Sequence, residues 1–182
     1  MPNNNSVSLA GEFAVLSQLF VRGYEASLTL GNTKSVDILV YDPNTEMSRQ
    51  IEVKTNFERR NGPSNSRFFG NFITSWQMDR KHESILNPNL FYCFVHINTT
   101  RAEPSKHSSR FFVVPSAVVA AYVRDQHAFW LRDDPTHKDS TRRIFRIGLA
   151  NDRDIVIPAP LGELYEDNWG QIAAPAEIVE PD

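Results

Sequence analysis

Two short strand-like runs joined by a turn constrain this chain most, and each carries an acid where a core strand is expected to be apolar. Val36, Ile38, Leu39, Val40 and Tyr41 form a nearly continuous apolar run around Asp37, which reads as a strand covered on both faces. Strand alternation places Asp37 on the side of Leu39 and Tyr41. Its carboxylate should then be partly buried, at a cost on the order of several kcal/mol unless something compensates. In Gln50-Ile51-Glu52-Val53-Lys54-Thr55, Glu52 and Lys54 share a face about 7 Å apart, opposite Ile51 and Val53. The intervening Asp42-Pro43-Asn44-Thr45-Glu46 is turn-rich and short, which predicts an antiparallel hairpin. Reversal across that hairpin carries Asp37 toward Glu52 and Lys54.

Each residue also has an ordinary reading. Asp37 can open its strand and cap a turn after Gly31-Asn32-Thr33-Lys34-Ser35. An isolated Glu-x-Lys is most often a solvated ion pair worth about 0.2–1 kcal/mol. The combination says more than its parts. Carboxylates on strands about 4.8 Å apart repel unless a cation or proton joins them, and Mg²⁺ is typically held by one or two carboxylates with waters and phosphate oxygens.

Ahead of the hairpin, Leu9, Phe13, Leu16, Leu19 and Phe20 recur at helical spacing. Ser8 is placed to cap the helix, Gly23 to end it in a left-handed conformation, and the apolar stripe to face the sheet. Ala10, Gly11 and Ala14 form a small-residue patch beside Glu12, which would let the helix approach closely and Glu12 reach inward.

Asp37, then Glu52-Val53-Lys54 after a short hairpin, preceded by a helix with Gly11-Glu12-Phe13-Ala14, resembles the PD-(D/E)XK nuclease superfamily, including restriction-endonuclease-like proteins and Holliday-junction resolvases. The resemblance spans roughly residues 8–97 and departs at Val36, where the superfamily's name has proline. It implies an α/β fold with a restriction-endonuclease-like αβββαβ core, a central mixed sheet flanked by helices. It implies an endonuclease that hydrolyses DNA with Mg²⁺, for which Mn²⁺ can substitute. Asp37, Glu52 and the Val53 carbonyl would be metal ligands, Glu12 would serve a second ion, and Lys54 would orient water or stabilise charge on the attacked phosphate.

Beyond Lys54, residues 56–71 place Arg59, Arg60 and Arg67 among Asn, Gly, Ser and Pro. This predicts a long loop whose arginines contact DNA phosphates, with Phe68, Phe69 and Phe72 anchoring it to the core. A helix from Ser75 to about Leu86 is expected next, with Gln77, Arg80 and Lys81 as further nucleic-acid contacts. Phe91 to Ile97 reads as a buried strand. Strands are also expected at Arg110–Val114 and Ile144–Ile147, a helix from Pro115, and a short closing helix near Leu161–Tyr165 with Trp169 as an anchor. The formal net charge of −3 conceals a basic stretch from Arg49 to His82 and an acidic one after Ala150. The chain divides into a flexible start at 1–7, a single domain at 8–172 and a frayed acidic tail at 173–182.

No P-loop, dinucleotide fingerprint or nucleophile elbow occurs, and the five histidines lack zinc-site spacing. A single cysteine excludes an internal disulfide and, with no secretory or membrane-spanning segment, leads to the expectation of a cytoplasmic protein. DNA is the expected partner, and a homodimer would suit cutting of two strands. The competing function is a catalytically inactive nuclease-like module that binds nucleic acid or a protein.

Overall fold

The computed structural model describes residues 2–29, 36–59, 62–100, 103, 105–149 and 155–174, with only the backbone of Arg59. Arg60, the Gly31–Ser35 turn and the acidic end at 175–182 lie outside the described residues. The chain is a mixed α/β fold. Its order is α1 (Asn4–Phe20), β1 (Glu25–Leu28), β2 (Ile38–Asp42), β3 (Met47–Arg59), β4 (Ser64–Ser66), β5 (Gly70–Asp79), a 3₁₀ helix (Arg80–Ser84), β6 (Leu90–Thr99), β7 (His107–Pro115), α2 (Ser116–Asp133), β8 (Arg142–Gly148), α3 (Gly162–Tyr165) and α4 (Gly170–Ala173).

A five-stranded mixed sheet, β1-β2-β3-β6-β7, forms the centre. All its pairs are antiparallel except β3 with β6. The predicted hairpin is present, with Ile38 opposite Ile51 and Asp42 opposite Met47. Strand β6 is apolar from Leu90 to Val95 because it is covered on both sides. Phe91, Cys93, Val95 and Ile97 join the core under α1, while Tyr92 and Phe94 join a second core shared with β5, β8 and α2. Burial pushes the Cys93 thiol upward, so this cysteine is a packing residue.

Several expectations change. Helix α1 starts at Asn4, capped by the Asn3 side chain on the Ser6 N–H at 2.8 Å, so residues 4–7 belong to the helix and Ser8 is not its cap. Asparagine is itself a strong N-cap. The helix also turns a different face inward. Gly11, Val15 and Leu19 are buried, whereas Phe13 is 57% exposed and Leu9 and Phe20 are exposed too. A Cβ on Gly11 would lie 1.8 Å from Thr55 Oγ1, so small side chains win the inner face by permitting the closest approach to β3. Gly23 ends the helix at φ +85°, as expected.

Strand β2 is covered on one face only. Ile38, Val40 and Asp42 are buried while Leu39 and Tyr41 are exposed. The region after Lys54 is not a long loop, and no helix begins at Ser75. Strand β3 runs on to Arg59, and the turn-rich residues that follow form the β4–β5 hairpin of a second sheet, β4-β5-β8. The middle helix of the expected αβββαβ order is thus replaced by β5 and a single 3₁₀ turn. Trp76 and Met78 face the core and Gln77 and Asp79 face solvent, a period of two that only a strand satisfies.

Candidate active site

The site is built at the start of β2, where β3 runs on past that neighbour while still paired with β6. Asp37 extends the ladder by one residue, its N–H donating to the Ile51 carbonyl at 2.9 Å and its carbonyl accepting the Thr29 N–H at 2.9 Å. With both main-chain groups held, its side chain reaches across the strand end, where Asp37 Oδ2 accepts the Val53 N–H at 2.7 Å. The N–H and C=O of one residue in a strand leave on the same edge. The Val53 carbonyl therefore faces the gap beside Asp37.

Glu52 and Lys54 share a face of β3, as expected, and are ion-paired, Lys54 Nζ to Glu52 Oε1 at 2.5 Å. Glu52 is 3% exposed, and the Lys54 side chain is 27% exposed. Burial opposes ionisation of Glu52, but a hydrogen bond from His82 and the charge of Lys54 outweigh it and hold the carboxyl at about 2. The other oxygen, Glu52 Oε2, is buried without a hydrogen-bond partner.

Asp37 behaves oppositely. Burial pushes its carboxyl above the usual range, the Val53 N–H and the Lys54 charge pull it back, and Glu52 raises it further. Glu12, half-buried on α1, is likewise raised, first by burial and then by Asp37, with Lys54 opposing. Glu12, Asp37, Glu52 and Lys54 thus form one electrostatic group drawn from a helix, a strand end and the long β3. The close seating of Gly11 on Thr55 brings Glu12 into it.

The more distant predicted residues separate. Lys81, in the 3₁₀ helix, lies close enough for its charge to lower the Asp37 carboxyl. Gln77 is exposed on β5. Arg80 turns toward the far layer and pairs with Asp139 at 2.6 Å. Arg67 is exposed, 3.7 Å from Asp133 and with its guanidinium over Phe68. Phe68 and Phe69 pack on Phe129, as anchors should.

Sequence reasoning missed His82, which is buried with its Nε2 3.3 Å from Glu52 Oε1. It also missed Tyr92, directly opposite Glu52 in the β3–β6 register. Burial and the Glu52 charge push the Tyr92 phenol upward.

No family model and no curated protein matches the chain. Among solved structures, a bacterial homing endonuclease superposes with a TM-score of 0.48 at 12% sequence identity, covering 94% of this chain and 92% of that one.

Among the described residues no three His, Cys, Asp or Glu side chains gather into a metal-holding group. A hard cation such as Mg²⁺ does not need three, because water and main-chain oxygen complete its shell. The donors present are all of the required kind. They are the Asp37 carboxyl raised by burial and, to a lesser degree, by Glu52, a buried oxygen on Glu52 outside its pair with Lys54 and His82, and the Val53 carbonyl on the same gap.

Proposed function

We propose that this chain is an endonuclease that hydrolyses DNA phosphodiesters with Mg²⁺, or with Mn²⁺ in its place. One observation carries the reading. Two carboxyls in tension, Asp37 and Glu52, lie beside an ammonium at the end of a sheet, with one buried carboxylate oxygen left unpartnered. An unsatisfied buried polar atom costs about 1–3 kcal/mol, a cost that a cation bound at this oxygen would offset.

Asp37, Glu52 and the Val53 carbonyl would hold the cation. When bound, it would acidify water and neutralise charge on the attacked phosphate. Lys54 would orient that water and stabilise charge building on the phosphate oxygens, and Glu12 would hold a second cation. Lys81 would meet the DNA backbone near the site, with the exposed Gln77 and Arg67 as more distant contacts. Phosphate contacts of this kind position a nucleic acid without reading its sequence.

The test is nicking of supercoiled, single-stranded and branched DNA by wild type, Glu52→Ala and Lys54→Ala, with and without Mg²⁺ or Mn²⁺. Metal-dependent nicking by wild type, lost in both folded variants, is the expected result. Absence of cleavage on every substrate and metal, with DNA binding untouched by either change, would overturn it in favour of an inactive binding module.

A further inference from the structure

The 3₁₀ helix between β5 and β6 places one buried imidazole against the most buried acid of the site. Its position is fixed from several sides. The Asp79 side chain caps the turn at the Lys81 N–H, 3.1 Å, while His82 Nδ1 reaches back to the Asp79 main chain, 3.0 Å from its nitrogen and 2.8 Å from its oxygen. The Arg80 N–H donates to the Thr141 carbonyl at 2.7 Å, and Arg143 pairs with Glu83. The ring itself lies edge-on to Tyr92, with centroids 5.8 Å apart. An ionised carboxylate only accepts hydrogen bonds, so His82 Nε2 carries the proton between them.

We propose that His82 is a positioning residue for Glu52. It holds Oε1 together with Lys54 and so presents Oε2 to a divalent cation. The inference rests on the reading of Asp37 and Glu52 as cation ligands. A purely structural role fits poorly. A buried acid–histidine pair is a weak source of stability, and this one engages only Oε1 of Glu52, which it shares with Lys54, leaving Oε2 outside the pair. Partners that orient a ligating side chain usually matter to metal affinity by about 10–100-fold.

The experiment compares His82→Phe, which keeps an aromatic ring beside Tyr92 but no donor, with His82→Gln, whose amide nitrogen can reach the Nε2 position. Mn²⁺ binding to the full chain is measured by calorimetry, beside thermal unfolding. His82→Phe is expected to weaken Mn²⁺ binding about tenfold or more with unfolding close to wild type, and His82→Gln to restore most of the loss. Should the phenylalanine variant not fold, His82→Asn replaces it, because its shorter amide stops short of Glu52. Equal Mn²⁺ affinity in wild type and the donor-less variant would remove this inference and leave the nuclease reading intact. A wild-type chain that binds no Mn²⁺ would remove both.

Discussion

Asp37 holds a carboxyl that burial and Glu52 both push toward the neutral form. In the metal-free protein at neutral pH its charge is therefore a cost. Asp37→Asn keeps an oxygen for the Val53 N–H and removes that charge. We expect it to abolish cleavage while raising metal-free stability by about 0.5–2 kcal/mol at pH 7, the usual exchange of function for stability. The sign follows from linkage. A carboxyl raised in the folded state favours folding at low pH, and the advantage is lost as pH rises through its folded value. The stability gap between Asp37→Asn and wild type should thus narrow as pH falls through the range where Asp37 protonates. Glu52 runs the other way, since it is held at about 2 against an ordinary value of 4.5. Its contribution is present above the ordinary value and fades as pH falls between the two. Thermal unfolding of both proteins from pH 7 downward, without metal, checks the opposition; a gap that widens on acidification contradicts it.

At the scale of elements, α1 is seated by its smallest residues. Alanine is the better helix former, yet Gly11→Ala would drive a methyl into Thr55. We expect a loss of about 1–3 kcal/mol from overpacking, together with weakened cleavage as Glu12 is levered away. Phe13→Ser on the exposed face should instead change stability by less than about 0.5 kcal/mol, while Leu19→Ala on the buried face should cost about 2–5 kcal/mol. Denaturant titration of the three variants decides which face is inside.

This is also where the sequence was hardest to read. The hairpin and the two acids were legible because a tight turn and strand alternation are local rules, and Asp37, Glu52 and Lys54 meet as those rules require. The inner face of α1 was not, since Phe13 and Phe20 outweigh Gly11 and Val15 in any count of apolar residues, and only the nearness of β3 reverses the choice. Trp76 and Met78 do alternate with Gln77 and Asp79, but charged neighbours and Ser75 imitate a helix start. His82 left one faint trace, its place three residues after Asp79, the spacing of a reciprocal N-terminal cap. Its meeting with Glu52 is long-range and has no local signature.

For the molecule as a whole, the central sheet is the shared wall of two cores. Trp169 packs in the core under α1 and Trp76 in the one beneath α2. Phe94 on the shared wall stacks on Phe145 of the second sheet, with centroids 4.1 Å apart. If the chain is one domain, neither core can melt alone. With Trp130 and one of the other two tryptophans replaced by Phe, chemical unfolding followed through Trp76 and through Trp169 should give the same midpoint. Separate midpoints would divide the chain into two units.

The parallel pairing of β3 with β6 sets an order of events during synthesis. Both acids leave the ribosome early, but Glu52 finds its neighbour only when Tyr92 has been added, and His82 has no wall to rest on before then. Until β6 is made the hairpin has no partner on that edge. A chain that has not yet closed its sheet therefore lacks the wall against which Glu52 is buried.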